Sequence, residues 1–158
     1  KDKKPLNLYV SDISNIRLEK AKELGLYTIN PKEVDIYSFL KEKTDEKGID
    51  VSFEAVGMSD TVQQALLTLR NRGKSVWIGN LEPKIEINMQ YVVTKEITII
   101  GSYAYSLNDF KTAIEYLEKK KINTKSIINQ VAKMEEGMLI FNELASGNEN
   151  VIKAVLIN

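Results

Sequence analysis

The sequence predicts an α/β protein built on a doubly wound parallel sheet. Three observations carry that expectation. Short apolar, strand-like runs recur at 6–10, 27–29, 51–55, 75–78 and 97–100. Helical patterns separate the first four, and glycine or polar turns close most of them. Parallel neighbours need a crossover, and the usual crossover is a right-handed helix packed on a sheet face. With 158 residues, 43% of them hydrophobic, the chain can bury a core.

The first run leads through Ser11-Asp12 into a helix over 14–24, with Ile16, Lys20, Ala21 and Leu24 at helical spacing and Gly25 as its C-cap. Run 27–29 precedes Pro31 and Glu33, which open a helix over 34–44 with Val34, Tyr37, Phe39 and Leu40 near one face. Run 51–55 precedes a helix over 60–69, capped by Ser59 or Asp60, with Val62, Ala65, Leu66 and Leu69 inward and Asn71-Arg72-Gly73 as its stop. After run 75–78, Pro83 and the alternation Ile85, Ile87, Met89 predict an extended connection to a brief helix over 90–94.

From Ser106 the pattern changes. Ser106 or Asn108 caps a helix over 109–120 with a stripe of Phe110, Ala113, Ile114 and Leu117. Lys119, Lys120 and Lys121 suit the negative end of its dipole and read as a solvated terminus. A strand over 127–131, a helix over 134–145 and a strand over 151–157 complete an α+β tail. The expected division is therefore 1–105 and 106–158.

Twenty-two basic and 22 acidic residues leave no net charge, so no global field draws nucleic acid or an anionic membrane. No apolar run approaches the ~20 residues of a bilayer span and no leader pattern is present, which makes the expected location cytoplasmic. Cysteine and histidine are absent. Disulfides, thiolate nucleophiles, His bases and Cys or His metal sites are thereby excluded within this sequence.

Candidate binding residues gather at predicted strand ends. In a dinucleotide-binding domain, an acid after the second strand accepts hydrogen bonds from the adenosine ribose and repels a 2′-phosphate. Asp12 has that placement, though it can also simply cap the following helix. Arg17, on the first turn, can lie on an adenine face or pair with Asp12 at the surface. The runs ending Phe53-Glu54-Ala55-Val56-Gly57 and Val76-Trp77-Ile78-Gly79-Asn80 place small residues where ligands approach open sheets. Gly57 also suits a plain turn.

Val10-Ser11-Asp12 with Arg17 and Ala21-x-x-Leu24-Gly25 begins a longer pattern. It continues through Asp50-x-x-Phe53-Glu54-x-x-Gly57, Gly73-Lys74-x-Val76-x-x-Gly79 and Ile97-x-Ile99-x-Gly101-Ser102. Together these resemble the medium-chain, zinc-type alcohol dehydrogenases, and within them the polyol branch of sorbitol, butanediol, threonine and galactitol-phosphate dehydrogenases. Gly101-Ser102-Tyr103-Ala104-Tyr105-Ser106 and the closing Lys153-Ala154-Val155-Leu156 extend the likeness over nearly the whole chain.

The resemblance implies a Rossmann-like sheet and NAD-dependent oxidation of a secondary alcohol, with zinc polarising the alkoxide. By that likeness Asp12 would hold the adenosine ribose and Arg17 would flank the adenine. Val56 and Gly57 would border the crevice. Ile78, Gly79 and Asn80 would lie along the nicotinamide half, with Ser102 and Tyr103 offering backbone contacts to the carboxamide. The family's zinc ligands and its Gly-x-Gly-x-x-Gly turn, due roughly twenty residues before the ribose acid, are not in the sequence. It is therefore expected to be the carboxyl-terminal part of such an enzyme, with zinc held in an amino-terminal domain, inactive alone and lacking the central strand of the sheet. The inner edges thus left should pair with each other or with a second copy. The apolar edge strand 96–101 is expected to form a homodimer, broken by charging Ile99. An S-adenosylmethionine-dependent methyltransferase and a non-catalytic nucleotide-binding or assembly module remain the alternatives.

Overall fold

A computed structural model describes residues 6–147 and 150–158. The chain divides into two compact units, one of residues up to Glu33 together with Tyr105 onward, the other running from Val34 to Ala104.

In the first unit, β1 (Tyr9–Ser11) and β2 (Tyr27–Ile29) form a parallel pair joined by α1 (Asn15–Glu23). Tyr9 and Tyr27 stand opposite each other and stack with ring centroids 5.1 Å apart, a cross-strand aromatic contact that fixes register. Leu18 and Ala21 are the buried residues of α1. The stripe expected through Ile16 and Leu24 is rotated, both being exposed, at 37% and 47%. The tail supplies α5 (Leu107–Glu118), α6 (Gly137–Ala145) and a second parallel pair, β6 (Gln130–Lys133) with β7 (Ala154–Ile157). Ser106 caps α5 in a reciprocal box with Asp109. Its stripe of Phe110, Ile114 and Leu117 is exposed.

In the second unit, β3 (Ile49–Glu54), β4 (Leu69–Trp77) and β5 (Thr98–Gly101) form a parallel sheet in that order, with α2 (Ile36–Lys43), α3 (Ser59–Leu67) and α4 (Met89–Thr94) between or before them. Asp35, not a residue near 33, caps α2 by accepting from Ser38 N at 2.8 Å. Val34 therefore lies outside the helix, and Ile36 and Leu40, four apart, are the inward pair. The core is Val62, Leu66, Leu69 and Ile97. Each such buried side chain contributes about 1.5–3 kcal/mol relative to exposure. Val62 and Leu66 come from α3, as the spacing predicts.

Strand β4 begins at Leu69, six residues before the expected run. Ile49 pairs with Leu69 and Val51 with Lys74, so residues 70–73 bulge out of the ladder, with Arg72 at φ 59°. The predicted helix stop is thus an irregularity inside a strand.

Among the described residues β1 pairs with β2, and β3 with β4. The sheet of the second unit is covered on one side. Ser52, Glu54 and Ser75 are buried beneath α3, whereas Val51, Phe53 and Ile100 on the alternate positions are exposed.

Candidate functional site

The first unit carries the acid expected to meet a ribose. Asp12 follows β1 directly, and its backbone N–H donates to Ile29 O at 3.3 Å, so the end of the strand pair fixes it. Its Oδ1 accepts from Ser14 N at 2.9 Å, the Asx turn that starts α1. Among the described residues, Oδ2 meets the exposed Arg17 Nη1 at 3.5 Å. Oδ1 thus serves the helix start, and Oδ2 carries the longer contact to Arg17. The surface pairing of Arg17 is formed, and at this distance contributes little.

The second unit brings Val56, Gly57, Ile78, Gly79 and Asn80 together. Ile78 N and Gly79 N both donate to Glu54 O, at 2.8 and 3.1 Å, and Glu82 N donates to Gly57 O at 2.9 Å. The turns after β3 and β4 are thereby stitched backbone to backbone. A Cβ on Gly57 would lie 2.2 Å from Asn80 N, and one on Gly79 would lie 2.2 Å from Gly57 N. Gly57 also sits at φ +83°, where only glycine is unstrained. These glycines are required by the contact between two turns, whatever ligand the turns face. Val56 and Ile78 present exposed side chains, Asn80 is exposed, and Ser102 N donates to Trp77 O at 2.8 Å. Tyr103 stands 87% exposed.

Three polar groups were not singled out from the sequence. Glu54, 3% exposed, accepts through Oε1 from Val56 N at 2.9 Å, Gly57 N at 2.9 Å and Thr61 Oγ1 at 2.8 Å, and through Oε2 from Gly57 N at 3.0 Å. Glu82 accepts from Ser59 N and Oγ at 3.0 and 2.9 Å. Glu82 thus accepts the first N–H of α3, and Glu54 holds the turn before the helix and the Thr61 hydroxyl. The available signal was an acid inside an apolar strand run directly before a small-residue turn. Ser75, fully buried, is bonded by Ser52 Oγ at 2.9 Å and by the Trp77 indole N–H at 3.0 Å. A hollow lined by Asn71, Arg72, Thr94, Lys95 and Glu96 lies at the opposite, amino end of β4 and β5. The Arg72–Glu96 ion pair occupies it, at 2.6 Å. Burial holds the Lys95 ammonium below lysine's ordinary pKa, and the charge of Lys41 adds to the effect; Lys95 donates to the Leu67 and Leu69 carbonyls.

Among the described residues no group of three His, Cys, Asp or Glu could hold a metal. With no His or Cys in the sequence, the donor set does not fit a catalytic zinc. No helix among the described residues is long and apolar enough to cross a membrane.

Parallel strands with crossover helices define a Rossmann-like α/β protein. Residues 6–119 match the family model described as zinc-binding dehydrogenase. The chain is 32% identical over 151 residues to a sorbitol dehydrogenase of Halalkalibacterium halodurans, covering 93% of this chain and 43% of that protein. It is 28% identical to an (R,R)-butanediol dehydrogenase of Neisseria gonorrhoeae, covering 97% and 44%. The crystal structure of L-idonate 5-dehydrogenase from Escherichia coli superposes with a TM-score of 0.82 at 27% identity, over 95% of this chain and 42% of that one. The chain belongs to the zinc-binding dehydrogenase family and spans somewhat under half the length of these relatives, corresponding to their carboxyl-terminal part. Nothing in these matches supports the methyltransferase alternative.

Proposed function

We propose that the protein containing this chain is an NAD-dependent dehydrogenase acting on a secondary alcohol of a polyol or sugar alcohol. The observation that carries this reading is the Asp12 carboxylate, held at the end of β1 with Oδ2 left to a ligand, in a chain of the zinc-binding dehydrogenase family. Bound NAD would supply the hydride acceptor.

The residues of this chain bind and orient. Asp12 accepts from the adenosine ribose hydroxyls and, being anionic, disfavours a 2′-phosphate; Ile13 beside it offers no cation. Arg17 is free to leave its long contact and cover the adenine. Val56 and Gly57 border the crevice. Ile78, Gly79, Asn80, Ser102 and Tyr103 line its nicotinamide half, where exposed backbone meets the carboxamide. No residue here exchanges a proton with the substrate. We assign the zinc ligands and the pyrophosphate turn to sequence outside these 158 residues, so the chain alone is expected to be inactive. A homodimer through the edge strand that includes β5, and a cytoplasmic location, belong to the same reading.

The test is to purify the full-length protein and follow NADH absorbance with a panel of polyols, sugar alcohols and their phosphates. Turnover with NAD and far weaker turnover with NADP are expected. Absence of NAD reduction by every secondary alcohol in the panel would overturn the assignment.

A further inference from the structure

The most unusual charge in the second unit is the carboxylate of Glu54. It is almost wholly buried, and no Lys or Arg ion pair to it occurs among the described residues. A buried charge is tolerated only where hydrogen bonds replace its hydration. Here the Val56 and Gly57 N–H groups and the Thr61 hydroxyl do so, at the positive end of α3.

The same residue holds the neighbouring turn. Its carbonyl accepts from Ile78 N and Gly79 N, so Glu54 organises the first turn through its side chain and the second through its main chain. The two turns touch at the van der Waals limit through Gly57 and Gly79; a shift in one is passed to the other. A well-packed apolar side chain at such a site is often as stabilising as a buried ion. Stability alone therefore gives no reason for a carboxylate, whereas fixing one geometry of the turn does.

We infer that Glu54 is a positioning residue: it holds Val56-Gly57, and through them Ile78-Gly79-Asn80, in the arrangement whose exposed edges receive the dinucleotide. This rests on the NAD reading above. It also implies that the dinucleotide meets these turns by their edges, because the N–H groups of Val56, Gly57 and Ser59 are already held by Glu54 and Glu82.

The test uses the full-length protein with Glu54→Gln, Glu54→Ala and, as a control, Asp50→Asn, an exposed acid near the start of the same strand that pairs with Arg70. Gln keeps the volume and one carbonyl oxygen but sets an amide N–H against Gly57 N–H. Calorimetry with NAD, steady-state kinetics and thermal unfolding are measured on each. Glu54→Gln should raise Kd and KM for NAD about tenfold, the effect of one lost charge-assisted hydrogen bond, with kcat nearly unchanged. Glu54→Ala should raise them further, and Asp50→Asn should match wild type. A purely structural role would lower the folded fraction, and with it apparent kcat, at constant KM for NAD. A folded Glu54→Gln protein with wild-type NAD affinity overturns the inference even if Glu54→Ala fails to fold. A wild-type protein that binds no NAD overturns the functional reading, and this inference with it.

Discussion

Alanine at Gly79 should destabilise the protein more than alanine at a glycine that is strained but unobstructed. Gly25, at φ +80°, has open space for 4 Å around the point where a Cβ would stand, so Gly25→Ala carries only left-handed strain, about 1–2 kcal/mol. Gly79 has no left-handed strain, but its Cβ would meet Gly57 N at 2.2 Å and Val56 C at 2.3 Å. Backbone cannot rotate away as a side chain can. Relief requires the turns to part, breaking the donations of Gly79 N to Glu54 O and Glu82 N to Gly57 O. Overpacking of about 1–3 kcal/mol and two lost hydrogen bonds of about 1 kcal/mol each give roughly 3–5 kcal/mol. Gly57→Ala adds the left-handed strain to the same clash, for about 4–7 kcal/mol. Urea unfolding followed by far-UV circular dichroism ranks the three. Trp77, the single tryptophan and adjacent to Ile78, reports the second unit by fluorescence. If Gly79→Ala is no more destabilising than Gly25→Ala, the interlocking of the turns is refuted.

Asp12→Asn retains an acceptor for Ser14 N while removing the charge, so helix stability should hold while the preference for NAD over NADP relaxes; an unaltered coenzyme ratio in steady-state kinetics would refute the ribose assignment. The edge-strand dimer is tested at Ile100 and not at Ile99, since Ile99 packs against the core cluster and Ile100 is exposed on the other face. Ile100→Lys should yield a monomer by light scattering, and an unchanged oligomer counts against pairing there. Backbone and hydroxyl hydrogen bonds from Ser106 hold the Asp109 carboxyl below its ordinary pKa. The folded value lies below the unfolded one, so its stabilisation is complete above the ordinary carboxylate range and is lost as pH falls through the lowered value. Asp109→Asn should flatten the acid limb of the helix signal, and identical limbs would exclude the cap as its source.

Local pattern carried much of the architecture. Gly25 ends α1 and Ser106 begins α5 because each acts within a turn of its own position. The inward residues of α3 were legible because Val62 and Leu66 are four apart on a long apolar face. The phases of α1 and α2 were not. Their apolar residues admit more than one stripe, and only packing chose Leu18 with Ala21, and Ile36 with Leu40.

The candidate site divides in the same way. Asp12, Gly57 and Gly79 could be found from the sequence because an acid or a glycine at a strand end stands out along the chain. That Gly57 and Gly79 oppose each other, that Ile99 faces inward, and that Glu54 folds back on its own turn depend on how the chain packs, the first two on residues about twenty or more apart. The sequence by itself determined the order of strands and helices, the absence of a Cys or His metal site, and the family. Tertiary structure alone decided which strand ends meet and which carboxylate is buried between them, because burial and backbone contact are properties of the packed chain.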